Sequence, residues 1–273
     1  MGKDMMAYRA ALHYGEEPFL AGDGGSGAVF FSGCSLRCVY CQNKDIALLC
    51  RGEKVSVEKL SSLFLALEKA GAENIDLVTA AHFAPDIKAA LQLAKEKGLR
   101  LPVIYNSSGY EEVQTLKMLE DVVDIYLPDF KYFDAALAGK WSLAPDYRKK
   151  ALLAIKEMVR QKGWPKVKAD GRMQSGTLIR HMVLPGHTKD SQNVIDTLFE
   201  TFGKDMYISL MSQYTPVGNF PETPELNRKI TKREYEKVLN YALDKGIVNG
   251  FFQETASAGK DQIPSFHGEG LHI

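Results

Sequence analysis

Three cysteines lie within one short loop, and this loop constrains the fold more than any other feature of the 273-residue chain. Cys34, Cys38 and Cys41 follow directly after residues 28–33, an apolar run with the composition of a β-strand. Cysteine thiolates are the usual ligands of iron–sulfur clusters, and a [4Fe-4S] cluster with three of them keeps one iron open for a further ligand. The loop therefore predicts a metal cofactor at the end of a strand.

A structural zinc site would explain the same cysteines differently. Such sites usually have four ligands, often as two separated C-x2-C pairs, and this chain has no second pair. Cys50 or His13 could complete a zinc site, and a chance grouping of core cysteines is a further alternative. Cys50 itself ends an apolar run, so we expect it to be a small buried hydrophobe.

Short apolar runs alternate with amphipathic stretches along the chain, which is typical of repeated βα units. We predict strands at 28–33, 75–79, 102–105, 125–127, 178–184 and 207–211, and helices at 57–70, 85–97, 110–122, 146–161, 190–202 and 231–245. Ser56 is the expected N-cap of the first helix, and Thr231 with Glu234 has the spacing of a capping box. About six units are too few for a closed eight-unit barrel. The pattern therefore predicts an α/β fold, an open, partial (β/α)6 TIM-like barrel with a short C-terminal extension.

The chain shows no internal repeat and no convincing linker, so we expect a single domain over 1–273. Its core covers about 27–214, and a C-terminal helix and tail cover about 231–273. An insertion at 131–176 interrupts the βα pattern, and its polar end, 166–176, is expected to form a hairpin or loop. Trp141, Tyr147 and Trp164 in this insertion either cover a substrate or pack in the core, and packing is the more frequent explanation.

Charge and hydropathy indicate which partners the chain lacks. The 34 basic and 34 acidic side chains cancel, and no basic run marks a nucleic-acid groove. No stretch approaches the roughly 20 apolar residues that cross a bilayer, and the N-terminus has no signal-peptide core. We therefore expect a cytoplasmic monomer that binds neither nucleic acid nor membrane.

The segment FFSGCSLRCVYCQN resembles the radical S-adenosylmethionine (SAM) superfamily, whose C-x3-C-x2-C signature is matched by Cys34, Cys38 and Cys41. It looks most like the activating enzymes of glycyl radical enzymes, such as the pyruvate formate-lyase activating enzyme, and within them like a shorter, activase-like branch. The positions that it shares with them are Gly33, Arg37, Tyr40 and Asn43. The resemblance extends from residue 27 to about residue 214.

This resemblance implies two cofactors, a [4Fe-4S] cluster and SAM. In the family, the cluster reductively cleaves SAM to a 5′-deoxyadenosyl radical, which abstracts hydrogen from a substrate. For an activating enzyme the substrate is a glycine of a partner protein. Since the chain has no further cysteine cluster, the electron is expected from an external donor such as flavodoxin or ferredoxin.

The resemblance also assigns SAM contacts near the ends of the first strands, beginning with Tyr40 in the cysteine loop. Thr79 and His82 stand where family members carry a Gly-Gly-Glu segment that binds the SAM amino group, so a backbone carbonyl, Thr79 or His82 is expected to replace the missing carboxylate. Asn106 and Ser107 open the run Asn-Ser-Ser-Gly, where activating enzymes have Asp-Thr-Asn-Gly. The lost aspartate leaves the binding of a monovalent cation beside SAM undecided.

The resemblance also assigns three charged residues on or just after later strands. Asp129 and Lys131 match the family's Asp-x-Lys, which contacts the SAM carboxylate and neighbouring groups. Arg180 matches an arginine near SAM, and an arginine in an apolar strand is costly to bury without an anionic partner. Gln213 and Tyr214 replace the Tyr-His of activating enzymes. The resemblance names no separate catalytic acid or base in this chain.

Two other functions stay open at this point. One is a radical SAM epimerase or another modifying enzyme that acts on a peptide or a small molecule. The other, from a different class, is a non-enzymatic metal-binding scaffold. The substrate itself cannot be derived from the sequence, because loops and pocket shape determine specificity.

Overall fold

A computed structural model describes residues 4–49, 51–253 and 269–271, so the expectation for Cys50 lies outside the described residues. The strands are β1 (Met6–His13), β2 (Ser26–Phe31), β3 (Glu53–Lys54), β4 (Ile75–Val78), β5 (Val103–Ser107), β6 (Ile125–Pro128), β7 (Lys166–Val167), β8 (Met173–Thr177), β9 (Ile179–Met182), β10 (Ile208–Met211) and β11 (Gly250–Phe252). The helices are α1 (Pro18–Ala21), α2 (Lys44–Ala47), α3 (Val57–Lys69), α4 (Ala84–Glu96), α5 (Val113–Leu119), α6 (Ala135–Ser142), α7 (Tyr147–Lys162), α8 (Thr188–Phe202) and α9 (Lys232–Asp244). Two 3₁₀ turns lie at Ala81–Phe83 and Pro224–Asn227.

The chain has an α/β fold built on parallel strands. β2, β4, β5 and β6 pair in that order, and each pair is parallel. β9, β10 and β11 form a second parallel sheet, and the two sheets meet where Asp129, just after β6, bridges Arg180 in β9. We call this junction the seam. Because the strands are parallel, their carboxyl ends reach one edge.

The central strands are apolar because helices cover their outer faces. All six residues of β2 are buried, as expected for a strand inside a parallel sheet. Their register places Phe30 of β2 beside Val78 of β4, and Val78 beside Asn106 of β5. The loops that follow these strands therefore lie next to one another.

Local signals predicted the starts of α3 and α9 correctly. The Ser56 hydroxyl accepts a hydrogen bond from the Lys59 amide, as an N-cap should. Thr231 and Glu234 form both bonds of a capping box at the start of α9. The insertion contains the expected hairpin, β7 with β8, although β8 also pairs with β6.

The sequence prediction missed the short elements α1, α2 and β3, and it also missed β1 and α6. The strand at 28–33 is not the first, because β1 precedes it and pairs antiparallel with β2. β1 is rich in alanine, which has a low strand propensity, so it gives no strand signal. The eight-residue helix α6 was also missed, since it is short and contains Gly139. In addition, α5 begins later than predicted, because residues 108–111 form a turn after β5.

Within the described residues, no helix combines the length and the apolar character that spanning a membrane requires.

Candidate functional site

A cavity of about 230 Å³ opens at the carboxyl ends of the parallel strands, beside the seam. The predicted site residues that line it are Cys34, Cys38, Cys41, Thr79, Asn106, Ser107, Asp129, Lys131 and Arg180. A second cavity of about 220 Å³ shares several of these residues and is also lined by Tyr40, Met182 and Met211. The fold thus brings residues from six separate loops and strands to one place.

The three motif cysteines are free thiols at the floor of this site. Burial raises the pKa of Cys34, and it raises the pKa of Cys41 to about 12. A thiolate at either position therefore needs a positive charge beside it, which iron would supply. In the part of the chain that the structure describes, no three His, Cys, Asp or Glu side chains lie close enough to share one metal ion. Cysteines of a [4Fe-4S] cluster bind different irons and need not converge, so the donor set fits that group.

The cysteine loop is held in shape by backbone hydrogen bonds. The Cys41 amide donates to the Cys38 carbonyl at 3.1 Å. The end of α6 contributes two further acceptors, because the carbonyls of Trp141 and Ser142 bind the amides of Val39 and Arg37 at 2.8 and 3.2 Å. The insertion therefore supports the loop that presents the cysteines.

Arg180 lies at the centre of the charged part of the site. Its guanidinium contacts Glu16 at 3.0 Å and Asp129 at 3.3 Å, and it donates to the Asn106 side-chain oxygen at 2.6 Å. Lys131 completes the group with a 2.5 Å contact to Asp129. All four charged side chains are largely buried, so this is an ion-pair network with little exposure to solvent.

These contacts keep the buried charges ionised. Burial alone would raise the pKa of Asp129, but Lys131 and Arg180 outweigh it and the pKa lies below its usual range. Burial lowers the pKa of Lys131 and of Arg180, and nearby carboxylates, Asp129 above all, raise both pKa values above their usual range. The site therefore presents fixed charges of both signs to a bound ligand.

Ser107 lines the cavity, but its hydroxyl already has two partners. It donates to Glu111 at 2.9 Å and accepts from the Gly109 amide at 2.9 Å. Gly109 has φ +76° there, and a Cβ at this position would lie 2.1 Å from the Asp129 carbonyl oxygen. Ser107 thus shapes the turn after β5, and its predicted contact with SAM stays a prediction.

The buried carboxyl of Glu111 is expected to make the stability of the protein depend on pH. Burial raises the pKa of Glu111 from 4.5 to about 7, against the hydrogen bonds from Ser107 and Tyr105. A carboxyl with a raised pKa in the folded state loses stability as pH rises from the unfolded pKa to the folded one. For Glu111→Gln we expect the fall in the free energy of unfolding between about pH 4.5 and about pH 8 to shrink by about 3 kcal/mol, measured by urea denaturation.

Glu112→Gln is the matched control, because Glu112 is the exposed neighbour that pairs with Lys150. This variant should change the pH slope far less than Glu111→Gln, because Glu112 is the smallest of the causes that act on the Glu111 pKa. An equal slope in Glu111→Gln and the unmodified protein would contradict the prediction.

Tyr147 ties two of the motifs together. Its buried hydroxyl accepts from the Lys131 amide at 2.9 Å and lies 2.8 Å and 2.9 Å from the carbonyl oxygens of Ser108 and Asp129. From the sequence, Tyr147 was expected either to cover a substrate or to pack in the core. The structure shows that it is fully buried. It therefore packs, and its hydroxyl also fixes the backbone beside Asp129.

Thr79 and His82 differ in their placement. Thr79 lines the first cavity next to Cys34, and its hydroxyl helps to lower the Cys34 pKa against the effect of burial. His82 lines neither described cavity, and its Nε2 lies 2.6 Å from the Ser32 carbonyl oxygen. Of these two residues, Thr79 is the one placed to meet a ligand.

Sequence reasoning missed Glu16 as a site residue. It lies in the loop after β1, lines the first cavity and binds Arg180, which is 164 positions away in the chain. His13 and Gln213 also line this cavity. An acidic pair before Pro18 looks like an ordinary helix start, so no local signal indicates that Glu16 reaches Arg180.

The family model described as Radical SAM superfamily matches residues 28–198, more than half of the chain. An uncharacterized protein of Methanocaldococcus jannaschii is 27% identical over 243 residues, which cover 85% of this chain and 65% of that protein. The pyruvate formate-lyase-activating enzyme of Clostridium pasteurianum is 26% identical over 178 residues, which cover 61% of this chain and 65% of that enzyme. The chain thus spans just under two thirds of the length of both curated relatives.

Solved structures share the fold at low sequence identity. SuiB of Streptococcus suis, solved with bound S-adenosylmethionine, matches with a TM-score of 0.54 and 13% identity, over 81% of this chain and 48% of that one. The protein anSMEcpe with bound AdoMet matches with a TM-score of 0.53 and 14% identity, over 80% of this chain and 60% of that one. At these identities the likeness concerns the fold alone.

Proposed function

The chain belongs to the radical SAM superfamily, and within it we propose an activating enzyme that takes a hydrogen atom from a glycine of a partner protein. Its cofactors are a [4Fe-4S] cluster and SAM. When bound, this pair supplies an electron to the sulfonium bond of SAM and a radical that can attack an unactivated C–H bond. The observation that carries the proposal is that the three cysteines and the charged group around Arg180 line one cavity.

The chain's own residues explain how SAM would be held. Cys34, Cys38 and Cys41 would bind the cluster, and the charged group lines the same cavity. Lys131 and Arg180 offer cations to the carboxylate of the methionyl end, while Asp129 offers an acceptor to its amino group. Each of these three side chains is already ionised and fixed, so little reorganisation accompanies binding.

Glu16 partly neutralises Arg180, and this distinguishes the site from a simple cationic pocket. The family's carboxylate after the second strand is missing from Thr79–His82 in this chain. We include in the proposal that the Glu16 carboxylate binds the SAM amino group together with Asp129, in place of that missing carboxylate. The 3.4 Å contact from the Asn106 amide holds this carboxylate at the cavity wall.

The arrangement of strands supports an open, partial (β/α)6 barrel as the scaffold. Six parallel strands, β2, β4, β5, β6, β9 and β10, carry the motifs in chain order. The last two belong to a second sheet that meets the first at the seam, as expected for an incompletely closed barrel. The proposal keeps one domain and a monomer in the reducing cytoplasm, where free thiols persist.

Members of the family need an electron donor, and for this chain we propose an external one, flavodoxin or ferredoxin. The similarity to the Clostridium pasteurianum enzyme supports a protein as the substrate. Its glycine would approach through the second cavity, past Met182, Met211 and Gln213.

Deuterium transfer tests the activating-enzyme proposal. The anaerobically reconstituted protein is reduced and mixed with SAM and with the glycyl radical enzymes of its own organism, labelled with deuterium at glycine. We expect deuterium in 5′-deoxyadenosine and a glycyl radical signal by electron paramagnetic resonance (EPR). Cleavage of SAM with neither label transfer nor glycyl radical would contradict the proposal.

A peptide- or small-molecule-modifying enzyme is the second candidate. The observation that favours it is Gln213, which lines both cavities where activating enzymes have a tyrosine. Mass spectrometry with deuterated peptides would then show label in 5′-deoxyadenosine without any glycyl radical. The superfamily match indicates an enzyme and disfavours the metal-binding scaffold.

A further inference from the structure

A chain of hydroxyl groups leads from Cys38 into the protein. The Cys38 sulfur lies 3.0 Å from the Ser142 hydroxyl, which lies 2.7 Å from the Tyr132 hydroxyl. The Tyr132 hydroxyl in turn lies 2.5 Å from that of Tyr40. The side chains of Tyr40, Tyr132 and Ser142 are buried, so water does not compete for these bonds.

The state of the Cys38 sulfur determines which hydroxyl group donates and which accepts in each of these hydrogen bonds. A cysteine sulfur bound to iron carries no proton and can only accept a hydrogen bond. Ser142 must therefore donate to Cys38, and its oxygen is left to accept from Tyr132. Tyr132 accepts from Tyr40 in the same way. Each donor in a series polarises the next, so the bond to the sulfur is stronger than one from an isolated serine.

Ser142 is held in place independently of its side chain. It is the last residue of α6, and its carbonyl binds the Arg37 amide in the cysteine loop. The following residue, Leu143, has φ +53°, the left-handed region that is unfavourable for a side chain with a Cβ. A strained backbone persists where the surrounding structure requires it. This turn keeps both the carbonyl and the hydroxyl of Ser142 against the loop.

We propose that Ser142, supported by Tyr132 and Tyr40, raises the reduction potential of the cluster bound at Cys38. Reduction adds negative charge to the cluster and its sulfur ligands, so a hydrogen-bond donor stabilises the reduced form more than the oxidised one. Hydrogen bonds to sulfur are among the factors that set the potentials of iron–sulfur clusters. The inference rests on the proposed function, because it needs the cluster. Ser142 is a positioning residue here, since it acts through Cys38.

Ser142→Ala tests the inference on the reconstituted protein without SAM. The potential is measured by redox titration, with the EPR signal of the reduced cluster as the readout. We expect the ratio of reduced to oxidised cluster at a fixed potential to fall about tenfold, which corresponds to about 59 mV for one electron. Tyr132→Phe, which keeps the serine, should lower the potential less, and Tyr40→Phe should lower it least.

Ser61→Ala and Tyr126→Phe are the matched controls, because they remove buried hydroxyls on α3 and β6 that lie outside the hydroxyl chain. Both should keep the potential of the unmodified protein. Ser142→Thr keeps a hydroxyl and should restore most of the loss. This order of effects would not arise from a merely structural role.

The outcomes distinguish a failure of this inference from a failure of the proposed function. If the unmodified protein binds no [4Fe-4S] cluster, the proposed function and this inference both fail. If the cluster forms and Ser142→Ala leaves its potential unchanged at equal iron content, the inference fails and the proposed function stands. If Ser142→Ala does not retain a cluster, the Tyr132→Phe variant decides, and an unchanged potential there overturns the inference.

Discussion

Replacing any one of Cys34, Cys38 and Cys41 by alanine is expected to reduce SAM cleavage to the background rate. Each variant keeps two of the three thiolates, and a [4Fe-4S] cluster needs all its protein ligands to keep its open iron in the cavity. Cleavage is measured as 5′-deoxyadenosine released by the reduced, reconstituted protein. Iron content and the visible absorbance of the cluster should fall together with the activity.

Cys50→Ala is the control, because Cys50 is the remaining cysteine of the sequence and lies outside the motif. It should keep both the absorbance and the activity. Full SAM cleavage by a motif variant would contradict the cluster assignment. A colourless unmodified protein that contains zinc and no iron would contradict every radical mechanism.

Arg180→Met is expected to lower the free energy of unfolding by about 3–5 kcal/mol, the usual cost of leaving buried charges without their partner. The Arg180 guanidinium contacts Glu16 and Asp129, and both carboxylates belong to side chains that are at most 18% exposed. Methionine fills similar space without the charge. The loss is measured by chemical denaturation of the protein without cofactors.

Arg160→Met is the matched control, since Arg160 also pairs with two carboxylates, Glu120 and Glu157, but is 54% exposed. Solvent screens the charges of Arg160 and Glu120, and the buried Glu157 keeps its hydrogen bond from Gln161, so the loss should be smaller than for Arg180→Met. Adding Glu16→Gln to Arg180→Met should recover part of the stability, because it removes one of the uncompensated carboxylates. Equal losses in Arg160→Met and Arg180→Met would show that burial of the network does not determine its energy.

Site residues that come at the end of a recognisable strand, or directly after it, could be predicted from the sequence. The cysteine loop, Asn106 and Asp129 each come after an apolar run that is recognisable by composition. Parallel pairing then brings their ends to one edge, so short-range patterns were enough to place them together. The roles of these residues toward SAM stay predictions, although their shared cavity supports them.

What the sequence could not predict depends on contacts between distant segments. Glu16 reaches Arg180 from the loop after β1, and the alanine-rich β1 gives no sign of the strand that positions it. The helix α6 has only eight residues, including Gly139, and its C-terminal end contacts the cysteine loop. Tyr147 is one buried aromatic among many, and only its hydroxyl partners distinguish it.

Because the seam residues are also the expected SAM ligands, SAM binding is thermodynamically linked to the stability of the junction between the two sheets. Asp129 and Arg180 bridge the two sheets, and they are also the residues expected to bind SAM. A ligand that binds the joined sheets and not the separated ones stabilises the junction by RT ln(1 + [L]/Kd), where [L] is the free ligand concentration. At a SAM concentration of about 100 times its Kd this amounts to about 2.7 kcal/mol. SAM would therefore also stabilise the contact between the two sheets when it binds.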